Sequence, residues 1–245
     1  MTSVAPQLYW DTLHEARHTA FEPDEVLFRD LFERYLSRGG ECFEIGCYPG
    51  NFLIWLAQRF GYTVSGIDAT PFVSDRMPRR LAEHGVKVGE LLQGDFLRFE
   101  SARKFQVVCS FGFIEHFEDT EDMIRRHVDL TAPGGTLIIS CPNFRRGQFV
   151  LHRLLDAENL RRHVLPAMNL RRWRRALEAQ GLTVVHQGYW GTFDFWTETP
   201  REQRVRRWAA GWVRRIAQGL QRRIHWPNPF FSPHMIIIAR KATSP

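Results

Sequence analysis

The sequence lacks any long apolar run: its longest apolar stretches fall far short of the roughly 18 residues that a membrane-spanning helix needs. The N-terminal stretch MTSVAPQLYWDTLHEARHTAFEPDE is polar and lacks the apolar core of a secretory leader, so a cytoplasmic protein is expected. Cysteine is scarce. The four, at 42, 47, 109 and 141, fit no zinc spacing, and three fall in or beside expected buried strands, which predicts reduced thiols and no metal site. What is present is enough for one domain, since 245 residues with 44% hydrophobic content can bury a substantial core.

The most informative stretch is Glu41–Thr70, ECFEIGCYPGNFLIWLAQRFGYTVSGIDAT. Cys42–Ile45 predicts a short buried strand, Gly46–Gly50 a tight turn, Asn51–Phe60 a helix, and Thr63–Ile67 a second strand ending at Asp68. Glycines at such a turn let the backbone approach a ligand, and an acid about 20 residues further on can take both hydroxyls of a ribose. A dinucleotide fingerprint would need glycine at 46, 48 and 51, but Tyr48 and Asn51 stand at the last two. NAD is therefore disfavoured.

Three later segments complete a pattern. Leu91–Phe96 ends a strand in Gly94-Asp95-Phe96; Phe105–Ser110 is an apolar strand running into Phe111-Gly112-Phe113-Ile114-Glu115-His116-Phe117; and Leu130–Ser140 carries Pro133-Gly134-Gly135 before another apolar strand. With Glu44-x-Gly46-x-x-x-Gly50 and Asp68, these resemble, in order and distance, four motifs of the class I S-adenosylmethionine (SAM) methyltransferases, from about Phe43 to Ser140. Tyr48 departs from that family's middle glycine. The resemblance implies an α/β fold: a Rossmann-like seven-stranded sheet, mostly parallel with an antiparallel last strand, with helices on both faces and a small helical cap. It also implies SAM as cofactor, met by Glu44, Gly46, Cys47, Tyr48, Gly50, Asp68, Ala69, Asp95, Phe96, Ser110 and Phe111.

Within one methyltransferase domain, residues 1–38 are expected to form a helical lid, 39–144 the SAM-binding core and 145–245 the substrate-side half. Val26, Leu27, Leu31, Phe32, Tyr35 and Leu36 recur at helical spacing. Tyr9, Trp10, His14 and His18 of the lid either face the substrate or pack the lid, with the histidines solvated. Phe113, Asn143 and His163, with Tyr189, Trp190, Phe193, Phe195 and Trp196 of the loop after the sixth strand, make the expected acceptor pocket aromatic and apolar. The methyl of SAM is already activated, so a hydroxyl acceptor needs little beyond alignment and loss of its proton. His116 is the foremost candidate base, His14, His18 and His163 the others; a packed histidine is the alternative for His116. Ser140-Cys141-Pro142-Asn143-Phe144 is not the N-P-P-Y type motif of amino-group methylation, which weighs against DNA adenine and protein glutamine.

Charge is unevenly placed. Residues 1–144 hold 14 basic against 21 acidic residues, whereas residues 145–225 hold 17 against 6, which argues for an anionic partner. Because 30 of the 33 basic residues are Arg, compositional bias is the competing explanation. In 201–224, Val205, Trp208, Ala209, Trp212, Val213, Ile216, Leu220 and Ile224 recur at three and four, with Arg204, Arg207, Arg214, Arg215, Arg222 and Arg223 flanking or opposing them. Such a helix either lies on an anionic membrane or packs its stripe against the fold. Nucleic acid is less favoured, because the aromatics keep apolar company rather than alternating with the arginines. The expected function is methyl transfer to a small or lipid-like acceptor. The rivals are an RNA or protein methyltransferase using the Arg-rich face, and a non-catalytic SAM-binding scaffold.

Overall fold

In the computed structural model, which describes residues 3–16, 21–197, 204–221 and 223–243, seven strands form a single sheet in the order β3-β2-β1-β4-β5-β7-β6. They are β1 Glu41–Ile45, β2 Thr63–Asp68, β3 Val88–Gln93, β4 Phe105–Phe111, β5 Thr131–Pro142, β6 Leu182–Trp190 and β7 His234–Lys241. Only β7 runs against its neighbours, pairing antiparallel with β5 and β6. The chain steps outward from β1 to β3, then returns to place β4 on the other side of β1. That reversal opens a crevice beyond the carboxyl ends of β1 and β4, where sheets of this type bind ligands.

The helices are α1 Gln7–Ala16, α2 Arg29–Tyr35, α3 Asn51–Phe60, α4 Phe72–Asp75, α5 Met77–Glu83, α6 Thr120–Leu130, α7 Arg146–Leu155, α8 Ala157–Arg161, α9 Leu170–Ala179 and α10 Arg204–Gln221. Alternation along the strands sorts their side chains into two apolar layers. Phe43, Ile45, Val108, Leu137, Ile139 and Ile237 join one layer with α6 and α9, while Cys42, Val107, Cys109, Ile138, Ile236 and Ile238 join the other with α2, α3 and α5. Strands covered on both faces are apolar at most positions, which is why the central ones read as near-continuous hydrophobic runs. All four cysteines are buried and free.

Two sequence-based expectations need correction. Residues 21–36 do not make one helix: Pro23–Glu25 is a single 3-10 turn, Val26 is extended, and Phe28 caps α2 at φ 63°. Pro23 fixes the first turn, and Phe28 turns inward to lie buried against Phe32, Phe111 and Trp190. The Pro133-Gly134-Gly135 turn lies inside β5, as a bulge where the register against β4 shifts between Phe105 and Val107. The helix expected over 201–224 is described from Arg204 to Gln221.

Candidate active site

The turn after β1 is shaped by close approach. Gly46 has φ +73°, and a Cβ on it would stand 2.9 Å from the Phe113 ring; Gly50 has φ +91° and opens α3 beside Met77. Any side chain at Gly46 would fill the space beneath the turn and strain a left-handed backbone. Asp68, at the end of β2, is held by that turn: Tyr48 N donates to its Oδ2 at 3.0 Å and Thr70 N to its Oδ1 at 3.0 Å. Desolvation pushes the Asp68 carboxyl up, and these backbone donors work against that shift. The outcome is an acid fixed in place with remaining lone pairs to offer a diol.

A cavity of about 1100 Å³ lies over the turn. Gly46, Tyr48, Asp68, Ala69, Asp95, Phe96, Phe111 and Phe113 line it from the sheet side. Asp95 Oδ1 accepts from Leu97 N at 2.9 Å, and Phe96 is buried edge-on to Phe113 and His127. Four residues expected to meet the cofactor stand behind this wall. Cys47 is buried against Met77, and Gly50 makes the helix start. Ser110 is turned away: His127 Nδ1 faces the Met123 carbonyl at 2.6 Å, so its Nε2 accepts from Ser110 Oγ at 3.0 Å. Glu44 is buried with Oε2 lacking any hydrogen-bond partner, and its carboxyl is raised well above the usual range, first by desolvation and then by Cys42 and Asp68. A fixed acid for a ribose, a bare glycine turn, an acid–aromatic pair and an orphaned carboxyl oxygen behind the turn fit SAM, whose positive sulfonium and diol need no phosphate cradle.

The opposite wall comes from α1. Tyr9, Trp10, Leu13 and His14 line the cavity; His14 sits 4.8 Å from the Tyr48 ring and Trp10 4.8 Å from the His116 ring, so one helix bridges the glycine turn and the segment after β4. His18 lies outside the described residues. Glu115, His116 and His163 all face this space, and their ligating atoms lie within 4.8 Å of one another. His116 Nδ1 is 2.8 Å from the Arg162 carbonyl, which can only accept, so Nδ1 carries the hydrogen and Nε2 the lone pair. Burial, with His163 nearby, holds His116 down at about 3, while burial pushes Glu115 up to about 8. At neutral pH the pair therefore holds a neutral imidazole beside a protonated acid, with 3.8 Å between His116 Nε2 and Glu115 Oε1. Glu115 Oε2 has no hydrogen-bond partner.

The aromatic loop after β6 is mostly scaffold. Trp196 alone of the aromatics expected there lines the cavity; Phe195 packs on His152 and Phe193 on Phe231, while Tyr189 and Trp190 belong not to the loop but to the end of β6, Tyr189 against the core and Trp190 behind Phe28 and His234. Asn143 is also structural, donating to the carbonyls of Ser232 at 2.9 Å and Pro229 at 3.3 Å. The cavity's other aromatics are Phe28, Phe52 and Phe117, joined by Glu115, Asn159 and His234, none singled out as site residues from the sequence. Only Glu115 carried a usable signal, an acid set between apolar residues at a strand end.

A family model described as a methyltransferase domain matches residues 16–187. The ubiquinone biosynthesis O-methyltransferase of Caulobacter sp. (strain K31) is 29% identical over 161 residues, which cover 65% of this chain and 62% of that relative; this chain thus matches less than two thirds of the relative's length. Among solved structures, the phosphoethanolamine N-methyltransferase 2 of Haemonchus contortus, in complex with S-adenosyl-L-methionine, is similar with a TM-score of 0.62 at 16% identity, covering 87% of this chain and 51% of that one. The N-methyltransferase NodS of Bradyrhizobium japonicum, in complex with S-adenosyl-L-homocysteine, gives 0.57 at 16% identity, covering 94% and 97%. The chain belongs to the methyltransferase-domain family, and its fold is that of these methyltransferases solved with SAM or S-adenosyl-L-homocysteine.

Proposed function

We propose that the chain methylates a hydroxyl of a small, largely apolar acceptor, a ring or a prenyl-bearing molecule. One observation carries this reading: the cavity is continuous from the Gly46–Asp68 turn to the buried Glu115–His116 pair. At about 1100 Å³ it exceeds the roughly 300–1,000 Å³ of an ordinary ligand pocket, which leaves room for an acceptor beside a cofactor. Its aromatic wall suits a ring, and the name of the Caulobacter relative supports an oxygen on a quinone precursor.

SAM supplies an activated methyl group. In this reading the residues of this chain hold and deprotonate. Asp68 and Asp95 would hold the cofactor's ribose and adenine, with Phe96 forming the apolar wall beside them. Residues 1–38 act as a lid through Tyr9, Trp10 and His14, which exclude water from the acceptor. His116 accepts the hydroxyl proton at Nε2. Residues 39–144 thus serve the cofactor, and the acceptor side is completed from 145–245 by His163 and Trp196. Incubation with labelled SAM and a panel of phenolic quinone precursors tests the proposal: methyl label in a phenol supports it, while label only in added RNA or protein overturns it.

Replacing Asp68 by Ala removes a charged acceptor of two hydroxyls, a loss of about 1.5–3 kcal/mol, or roughly tenfold to a hundredfold in SAM affinity. Calorimetry with unchanged affinity would remove Asp68 from the site. No metal is needed in this reading, because the transferred methyl is already electrophilic. Turnover should therefore survive dialysis against EDTA. Loss of turnover that added Mg²⁺ or Zn²⁺ restores would instead make Glu115, His116 and His163 a metal centre.

A further inference from the structure

We infer that α10 and the segment after it form a docking surface for an anionic lipid bilayer. The apolar stripe of α10 does not serve the core. Ala210 and Ala217 are the buried residues of this helix, which packs on α7, whereas Val205 is 79% exposed, Trp208 68%, Trp212 49%, Ile216 57% and Leu220 41%. Spaced three and four apart, these five share one side of the helix. The surface continues past the helix end. Gln221 Nε2 donates to the Phe193 carbonyl, Phe193 packs on Phe231, and Thr192 Oγ1 bonds the Ile224 carbonyl and Trp226 N. Ile224, Trp226, Phe230 and Phe231 are all exposed there, as are Val150 and Leu154 on α7. A folded monomer seldom leaves so many large apolar side chains in water without a partner.

Charge identifies the partner. The stretch 204–221 holds five Arg and no Asp or Glu. Arg207, Arg214 and Arg215 of the helix and Arg223 beyond it are exposed, and Arg215 lies 5.5 Å from the Trp212 ring. A second copy of the chain would bring the same positive charge against these arginines. Phosphate headgroups instead offer negative charge at the depth where tryptophan rings settle. Among the described residues no helix is long and apolar enough to cross a membrane. The geometry is therefore that of a helix lying along the surface, about 27 Å of it at 1.5 Å per residue.

Vesicle co-sedimentation of the full chain, without cofactor or acceptor, tests this independently of the methyl-transfer reading. Wild type should pellet with phosphatidylglycerol–phosphatidylcholine vesicles at low salt, and at least about tenfold less with phosphatidylcholine alone or in high salt, where surface charge is screened. A Trp208→Glu, Trp212→Glu double variant should lose at least about tenfold in vesicle affinity while keeping the wild-type melting temperature, since both side chains are exposed. Should that variant unfold, an Arg214→Glu, Arg215→Glu variant gives the same readout. Wild type remaining in the supernatant with anionic vesicles at low salt overturns the inference. So does a wild-type dimer that the tryptophan variant converts to a monomer, which would make a second copy the partner.

Discussion

Replacing His116 by Ala should lower turnover by about a hundredfold or more and leave SAM affinity nearly unchanged, because proton transfer by a positioned side chain typically contributes 10²–10⁴. The geometry behind this is the locked tautomer: the Arg162 carbonyl takes the Nδ1 hydrogen, leaving the Nε2 lone pair in a ring that lines the cavity. The pH profile adds a second readout. His116 is held at about 3, so its Nε2 stays unprotonated from about pH 5 to pH 8, and so weak a base takes the proton only as methylation makes the hydroxyl oxygen strongly acidic. A rate carried by His116 should therefore be flat from about pH 5 to pH 8 unless the acceptor itself ionises. A rate that climbs through pH 8, where Glu115 loses its proton, would move the role of base to Glu115. Normal turnover in a folded His116→Ala variant would leave the histidine as packing between Trp10 and His163.

Local chemistry determined how much could be read in advance. The turn from β1 to β2 was legible because each part has its own signal: apolar residues in strand, glycines where φ turns positive, and an acid at the next strand's end. Phe28 and His234 were not: Phe28 turns inward only through its left-handed backbone at the start of α2, and His234 reaches the cavity only through sheet order, β7 lying beside β5 although 91 residues separate Pro142 from His234. Ser110 sits near a strand end that the motif places near the cofactor, yet its hydroxyl is taken by His127, seventeen residues later on α6. The stripe of α10 shows another limit. A helix packing its apolar side inward and one presenting it outward have the same periodicity, so 201–224 alone could not settle which occurs. The outcome follows from occupancy: α6 and α9 already cover one face of the sheet and α2, α3 and α5 the other, so α10 rests on α7 and buries small alanines rather than its large apolar side chains.

Replacing Glu115 by Gln should stabilise the protein several times more at pH 8.5 than at pH 5. Glu115 is 1% exposed and its carboxyl is raised from 4.5 to about 8, so the folded chain prefers the protonated acid. The stability this gives is fully present below the unfolded value of 4.5, declines as pH rises above it, and is gone once pH passes the folded value of about 8. Gln keeps the shape of the protonated acid and never ionises, so it escapes that decline. A separation of this size is worth up to about 1.4 kcal/mol per pH unit. Water entering beside the ionised group reduces it, which leaves roughly 2–4 kcal/mol at pH 8.5, or roughly 5–12 °C in Tm for a domain of this size. His116 acts in the opposite direction and window: held at about 3 against 6.5, it withdraws stability as pH falls between those values. Its contribution is shared by wild type and variant and cancels in the difference between their melting curves. Equal Tm differences at pH 5 and pH 8.5 would show that Glu115 is not held protonated in the folded chain. The Gln variant should also keep most of its turnover if His116 is the base, and a loss as large as that of His116→Ala would show that the two side chains move one proton together.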